Sequence, residues 1–412
     1  MNVFSGILVL AMLGAVSAQR SLASQPDWDR PAAGKYLDDR IDLWFGRATQ
    51  LQTGEGKVAC VSCHTVVPYL LARPALRKAT QMTKPTSPEA RLLDNIIRRV
   101  ETGWNRASMS DSKHGGQDGT EEVLNALILA RHDAAEGTRR ASDATRKAFR
   151  LLWETQRADG AWDWMDFAQE PDESATARFY GAALAAVAVG TVPPLGGGGE
   201  GYATYREGNL RGYLRENYRQ QNLYNRIWML LASARWPGLL TWVEREELIA
   251  ELRQKQNRDG GWSLYGLGPW RWSKASPPFA PPGKFDGSLL EQSDGYATGL
   301  ITYALLQARV PATDAALARS TGWLRSNQQE IQVDEYRWKC WRAPSLNHVH
   351  EPGISRGGAW ERMMMSDLAT AFGALALLSM EQELASGLLD DLLLFPDPQD
   401  RAQRSGSLDP EH

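Results

Sequence analysis

Cysteine is scarce in this sequence, with 3 residues in 412: Cys60, Cys63 and Cys340. So small and odd a number does not frame a fold with disulfides. Histidine is nearly as rare, with 6 residues, and the close pair His348 and His350 beside Glu351 stands in a proline-rich loop without helical spacing. No second CxxC accompanies Cys60 and Cys63, so a structural zinc site lacks half its ligands. Lysine and arginine form no block, and the formal net charge is −3, which excludes an electrostatic nucleic-acid interface. Long apolar runs are confined to Val3–Val16, about 16 residues with the flanks and shorter than the ~20 that cross a bilayer. Followed by Val16-Ser17-Ala18, that run reads as a cleaved leader over residues 1–18. The expectation is an exported chain, periplasmic or extracellular, without a stable transmembrane anchor.

What is present suffices for a large core: 43% of the residues are hydrophobic, 23% are charged, and 16 are Trp. Segments of one type recur, opening with a small or acidic residue and continuing apolar on every side. They predict helices at about 62–73, 120–131, 174–188, 224–235, 295–307 and 367–379. Helices without a polar face must be buried all round, and their opening Ser, Thr, Asp, Glu or Asn residues suit N-caps. Between them run amphipathic segments at roughly 35–45, 90–104, 143–156, 206–220, 244–256 and 316–328. One polar-faced helix followed by one buried helix, six times over residues 35–381, predicts an all-α fold, an α/α toroid of six outer/inner helix pairs. Residues 28–396 are assigned to it and 397–412 to a polar tail. A competing division separates 28–135 as a small cytochrome c-like module from the part at 136–396.

Two amphipathic segments end in related strings, KAFRLLWETQRADGAW at Lys147–Trp162 and ELIAELRQKQNRDGGW at Glu247–Trp262. A third, RSTGWLRSNQQ at Arg319–Gln329, has Trp338 further on after an inserted loop. Gly160 and Gly260 suit helix C-caps at positive φ, and the Gln amide can bond a neighbouring helix end beneath the Trp ring. Strings of this kind resemble the QW repeats of the squalene–hopene and oxidosqualene cyclases, with Gln156/Trp162 and Gln256/Trp262 in the repeat positions. The resemblance covers about 140–380 and implies the toroid. It does not bring the cyclase chemistry, because neither acidic string of that family, DxDD or DCTAE, occurs here. The short pairs Asp38-Asp39 and Asp390-Asp391 read as solvated helix residues. Acids do remain at predicted inner-helix starts, and Glu173, Asp294 and Asp367, with Glu121 or Glu122, are expected to converge on one mouth. Capping alone accounts for any one of them; several together make Asp294, Asp367 and Glu173 candidate catalytic residues.

The most specific motif is Cys60-Val61-Ser62-Cys63-His64. Two thiols three apart can form thioethers to both vinyl groups of one haem, and the adjacent His64 can ligate the iron. The expected cofactor is haem c, covalent through Cys60 and Cys63. For the sixth ligand Met109 is the candidate, with His114 beside it and Met82 and Met363–Met365 as others. A Cys60–Cys63 disulfide or redox dithiol stays open. Cys340, between Trp338 and Trp341, reads as packing.

Three functions follow: an exported haem protein serving electron transfer or haem-dependent redox chemistry with a redox partner protein; a binding protein for an apolar or sugar ligand; and a terpenoid cyclase-like lyase or isomerase. The first is preferred, and the last is weakened by the missing acids.

Overall fold

The computed structural model describes residues 27–48, 50–53, 56–102, 119–166, 169–174, 176–195, 200–270, 290–346 and 359–393. The leader 1–18, the tail 397–412, Met109, His114 and His348–Glu351 lie outside the described residues. Among the described residues there are twelve α-helices and two short β-hairpins.

The outer helices are α1 (Arg30–Arg47), α3 (Ser87–Thr102), α5 (Asp143–Thr155), α7 (Glu200–Asn217), α9 (Trp242–Gln254) and α11 (Ala315–Ser326). The inner helices are α2 (Val66–Ala79), α4 (Thr120–Ala135), α6 (Arg178–Val189), α8 (Leu223–Arg235), α10 (Gly295–Gln307) and α12 (Ala359–Leu393). Inner helices pack in the order α2, α4, α6, α8, α10, α12, and α12 returns to α2, which closes the ring. Outer helices start where the sequence offers side-chain caps: Ser142 accepts from Thr145 N, Thr241 forms a capping box with Glu244, and Asp314 accepts from Ala316 N and Leu317 N. Inner helices are alanine-rich and buried on nearly every face, as in Phe179–Ala186 of α6, because each touches two inner neighbours and the outer ring. The buried apolar residues form one core from Trp28 to Met380.

The QW-like strings lock one outer helix onto the next. Gln156 Nε2 donates to Gly160 O (3.0 Å) and across to Arg206 O of α7 (3.0 Å). Gln256 Nε2 does the same to Gly260 O (2.8 Å) and Ala316 O of α11 (2.9 Å). Trp162 Nε1 donates to Leu152 O and Trp262 Nε1 to Leu252 O, both at 2.8 Å, so each indole satisfies a carbonyl orphaned in the last helical turn. The glycines are not C-caps as expected, since the helices stop at Gln156 and Lys255. Gly160 and Gly260 instead close the following turn, at φ +92° and +97°. A Cβ on Gly160 would stand 2.1 Å from Asn209 O, so only glycine lets the turn press on α7.

In the third string the expected Trp338 is replaced by Trp341. Trp341 Nε1 donates to Leu324 O (2.7 Å), four residues before Gln328, as Leu152 and Leu252 precede Gln156 and Gln256. The insertion is the hairpin β3 (Gln329–Val333) and β4 (Tyr336–Cys340), with Ile331 opposite Trp338, and it displaces the tryptophan along the sequence but not in space. The other hairpin, β1 (Gln50–Thr53) and β2 (Gly56–Ala59), carries the chain from α1 to Cys60.

Asp38 is not a solvated residue. It accepts from Tyr69 Oη (2.7 Å), Arg73 (2.9 and 3.1 Å) and Thr86 (3.2 Å), and so ties α1 to α2 and to the approach of α3. Contrary to expectation, one further segment is long and apolar enough to cross a membrane, Met363–Ser386 of α12, but 83% of its apolar window is buried within the protein. It is the core helix of the ring, touching α2, α10, α1 and α11.

Candidate functional site

The starts of α2, α6, α8 and α10 meet at one end of the ring, although the connections from outer to inner helix range from 5 residues (218–222) to 40 (255–294) and the short ones, 6–10 residues, run from each inner helix to the next outer one. Cys63 and His64 lie in the turn that starts α2. Between Trp162 and α6 the chain runs through Gln169-Glu170-Pro171-Asp172-Glu173, pinned by a bridge between Gln169 and Glu173 and by Trp164 Nε1 donating to Asp172 O (2.7 Å). This acidic loop meets the start of α2: His64 Nδ1 is 3.3 Å from Glu173 Oε1, and these two side chains keep 15% and 13% of their surface.

Beneath that pair the site is dry. Asp172 is 4% exposed, and Tyr224 Oη of α8 donates to its Oδ1. Tyr224 Oη lies 2.7 Å from Tyr296 Oη of α10. Burial raises the Asp172 carboxyl to about 7, against the lowering effects of the Tyr224 bond and His64 and with added repulsion from Glu173 and Glu170. Glu170 is itself buried and accepts from Ser174 Oγ (2.9 Å) and Thr176 Oγ1. The Cys63 thiol is pushed well up, first by burial and then by Glu173 and Asp172.

Aromatic rings fill the toroid axis below. Trp228 of α8 packs edge-on to Tyr180 of α6 (5.1 Å between ring centroids) and to Phe372 of α12 (5.6 Å), reaching across the ring. Tyr296 and Tyr303 of α10 close on Phe372 from the third side. Trp270, half-buried, covers Tyr224 from the approach to α10 at 5.9 Å. The expected site therefore sits at the mouth, above an aromatic plug, rather than deep in the ring.

The predicted acids divide three ways. Glu173 joins His64. Asp294 is the N-cap of α10, accepting from Ala297 N (2.8 Å) and Leu264 N (2.5 Å), with its carboxyl raised by burial to about 7; it borders the site through Tyr296. Asp367 is not at a helix start but inside α12, and both its oxygens are engaged: Arg40 (2.6 and 2.9 Å), Tyr36 Oη (2.6 Å) and Thr65 Oγ1 (2.8 Å). An anion so fully compensated closes α12 onto α1 and α2, and has no lone pair to offer a ligand. Glu121, in the first turn of α4, binds Arg99 Nε (2.6 Å). Sequence reasoning missed Asp172, Tyr224 and Tyr296; the signal available was the density of acid in Glu170-Pro171-Asp172-Glu173.

The haem donors can be tested against this geometry. Cys60 and Cys63 form no disulfide, and with Nδ1 held by Glu173 the His64 ring keeps Nε2 for another partner, the arrangement usual behind a ligating histidine. In donor type, two thiols and an imidazole, the set is the one a covalent haem uses. Cys63, only 1% exposed and packed into the core, is the member that would have to turn outward for a thioether to form. Cys340 is buried at the end of β4, its thiol pushed up to about 12 by burial and by Asp367. Met82 is exposed, and Met363 is buried in α12.

No family model matches the chain, and no curated protein matches it. Solved structures do. One is an unsaturated glucuronyl hydrolase from Bacillus sp. GL1, described as responsible for the degradation of glycosaminoglycan, at 13% identity and a TM-score of 0.50, covering 85% of this chain and 96% of that one. Another is named for UGL and dGlcA-Glc-Rha-Glc, at 12% identity and a TM-score of 0.49, covering 85% and 95%. The class of protein is thereby defined: an α/α toroid of the kind the glucuronyl hydrolases share. At these identities the likeness is one of fold, and it carries neither a cyclase nor a hydrolase activity to this chain.

Proposed function

We propose that this protein binds a small polyhydroxylated ligand of the carbohydrate class at the toroid mouth and carries out acid–base chemistry on it. His64 is the group that meets the ligand, Glu173 fixes its tautomer and orientation, and Asp172 lies beneath as a carboxyl that shares a proton near neutrality. The observation that carries the reading is this juxtaposition of a carboxylate-oriented histidine with a buried, proton-holding carboxyl, contributed by two segments about a hundred residues apart. A buried carboxyl beside a histidine held by a second carboxylate is a usual mark of an acid–base site. Trp270 adds an aromatic surface at the same end, which suits the apolar face of a sugar ring. The glucuronyl hydrolase with the same architecture is described as acting on a glycosaminoglycan, which agrees with the ligand class without establishing it. The test is calorimetric titration of the purified protein with neutral, amino and acidic oligosaccharides, followed by analysis of the products. Binding lost in His64→Ala and weakened in Glu173→Gln supports the reading; no binding by any of the saccharides sinks it.

A second reading retains the CVSCH motif as a haem attachment site, favoured by the way Glu173 holds His64 Nδ1 and leaves Nε2 available. Cys60 and Cys63 would hold the group and His64 would ligate it, and a haem bound there supplies one-electron transfer at its iron. Glu173 would then make His64 a more basic ligand. The discriminating measurement is a haem stain after denaturing electrophoresis of protein exported by a strain with cytochrome c maturation. A band that survives denaturation and disappears in Cys60→Ala/Cys63→Ala supports this reading.

A further inference from the structure

Tyr224 has one phenolic proton, and it donates that proton to Asp172. A hydroxyl with its only proton committed can take part in a second hydrogen bond only as acceptor. While Asp172 is ionised, the 2.7 Å contact between Tyr224 Oη and Tyr296 Oη is therefore made with the Tyr296 proton. Direction along the chain is thus set: Tyr296 donates to Tyr224, which donates to Asp172. Both tyrosines are fully buried, so no bulk water competes, and each O–H is polarised by the next. Tyr296 is held in the first turn of α10, on a different element from the acidic loop that carries Asp172 and from the α8 helix that carries Tyr224.

We propose that Tyr296 is a positioning residue for Asp172: it acts through Tyr224, whose proton it commits to the carboxylate, and so sets where the buried carboxyl exchanges its proton. The use of this relay rests on the acid–base reading of the mouth, but its existence does not. Packing alone would give Tyr296 another role, because its ring also lies 5.7 Å from Phe372. A phenylalanine there keeps that contact and loses only the hydroxyl.

Several other groups bear on Asp172. Glu170 and Glu173 stand on its own loop, Cys63 and His64 at the start of α2, Tyr180 on α6, Tyr224 on α8, and Tyr296 on α10, with Asp294 beyond it. All but the hydroxyl under test remain in a Tyr296→Phe variant, so a change in the titration of Asp172 reports the relay.

The experiment labels aspartate side-chain carboxyl carbons with ¹³C, assigns the Asp172 signal by its absence in Asp172→Asn, and follows it against pH in the folded full chain. Tyr224→Phe should raise the midpoint by about one pH unit, and Tyr296→Phe by roughly half as much in the same direction. A Tyr296→Phe midpoint equal to that of the parent, or lower, overturns the relay. Should Tyr296→Phe not fold, 3-fluorotyrosine at position 296 preserves the ring and strengthens the donor, and must lower the midpoint; an unchanged midpoint again overturns the proposal. Ligand titration of Asp172→Asn is a separate arm. Unaltered binding and product formation there would sink the acid–base reading of the mouth and leave the relay standing.

Discussion

Gln328 and Asp29, 299 positions apart, exchange two hydrogen bonds: Asp29 N donates to Gln328 Oε1 at 2.7 Å, and Gln328 Nε2 donates to Asp29 O at 3.0 Å. Asp29 is the N-cap of α1, so the last outer helix is fastened to the first by the same amide that Gln156 and Gln256 use to fasten α5 to α7 and α9 to α11. Around this seam Trp28 packs at a tilt against Trp341 (5.7 Å between ring centroids), and Glu381 of α12 accepts from Trp28, Arg30 and Arg325. Gln328→Ala removes two partly buried bonds and should cost about 1–3 kcal/mol in denaturant unfolding. The loss should be no smaller than for Gln256→Ala. A neutral Gln328→Ala would mean that the ring closes without this seam.

Trp162, Trp262 and Trp341 have equivalent indole bonds and are each buried to about 1% exposure or less. Replacement by Ala should cost roughly 3–5 kcal/mol at each position. Replacement by Phe should lose mainly the N–H bond and some volume, and so about 1–2 kcal/mol. Thermal or denaturant unfolding of the six variants checks this. If Trp341 behaved like an exposed residue while Trp338 carried the full cost, the equivalence of the third string would be wrong.

The periodic part of the fold was legible because burial on all sides leaves an unmistakable pattern. Gly295–Gln307 and Leu223–Arg235 coincide with the apolar runs that announced them, nearly to the residue. The start of α12 was misjudged because Ser366-Asp367-Leu368 imitates the capped opening of α10, Ser293-Asp294-Gly295. Only the approach of Arg40 from α1 explains an aspartate inside a buried helix. His64 and Glu173 were identified singly by motif and by pattern, and their pairing follows from the toroid. Asp172 and the two tyrosines could not be found this way, since a loop acid owes its altered acidity to burial in the assembled ring, which no local string reveals. The hairpin between Gln328 and Trp341 hid the third seam because spacing along the chain, not position in space, was being compared.

Arg40 and Asp367 form an ion pair with both side chains about 1% exposed. Breaking such a pair leaves one buried charge uncompensated, and typically costs 3–5 kcal/mol. Asp367→Leu and Arg40→Met should each lose that much, whereas the double variant Arg40→Met/Asp367→Leu should recover a substantial part. Unfolding measurements on the three variants provide a double-mutant cycle. Additive losses, with no recovery in the double variant, would show that Tyr36 and Thr65 rather than Arg40 are the partners that matter to Asp367.

Asp172 gives the stability of this protein a specific pH dependence. Its carboxyl titrates at about 7 in the folded chain against a usual 3.8, with burial as the main cause. Between those two values the folded state binds a proton that the unfolded state does not, so folding is progressively favoured as pH falls from 7 toward 4. Above 7 both states are ionised, and the folded protein bears the full burden of a buried charge; below about 4 both are protonated and the burden is gone. Asp172→Asn removes this titration while keeping a side-chain oxygen for Tyr224. The stability of the Asn variant minus that of the parent should therefore be greater at pH 8 than at pH 4, by on the order of a few kcal/mol. Parallel stability curves across pH 4–8 would mean that Asp172 is ionised throughout, stabilised by the tyrosine chain and His64 more strongly than burial opposes it; the mouth would then hold a fixed negative charge and no proton to share.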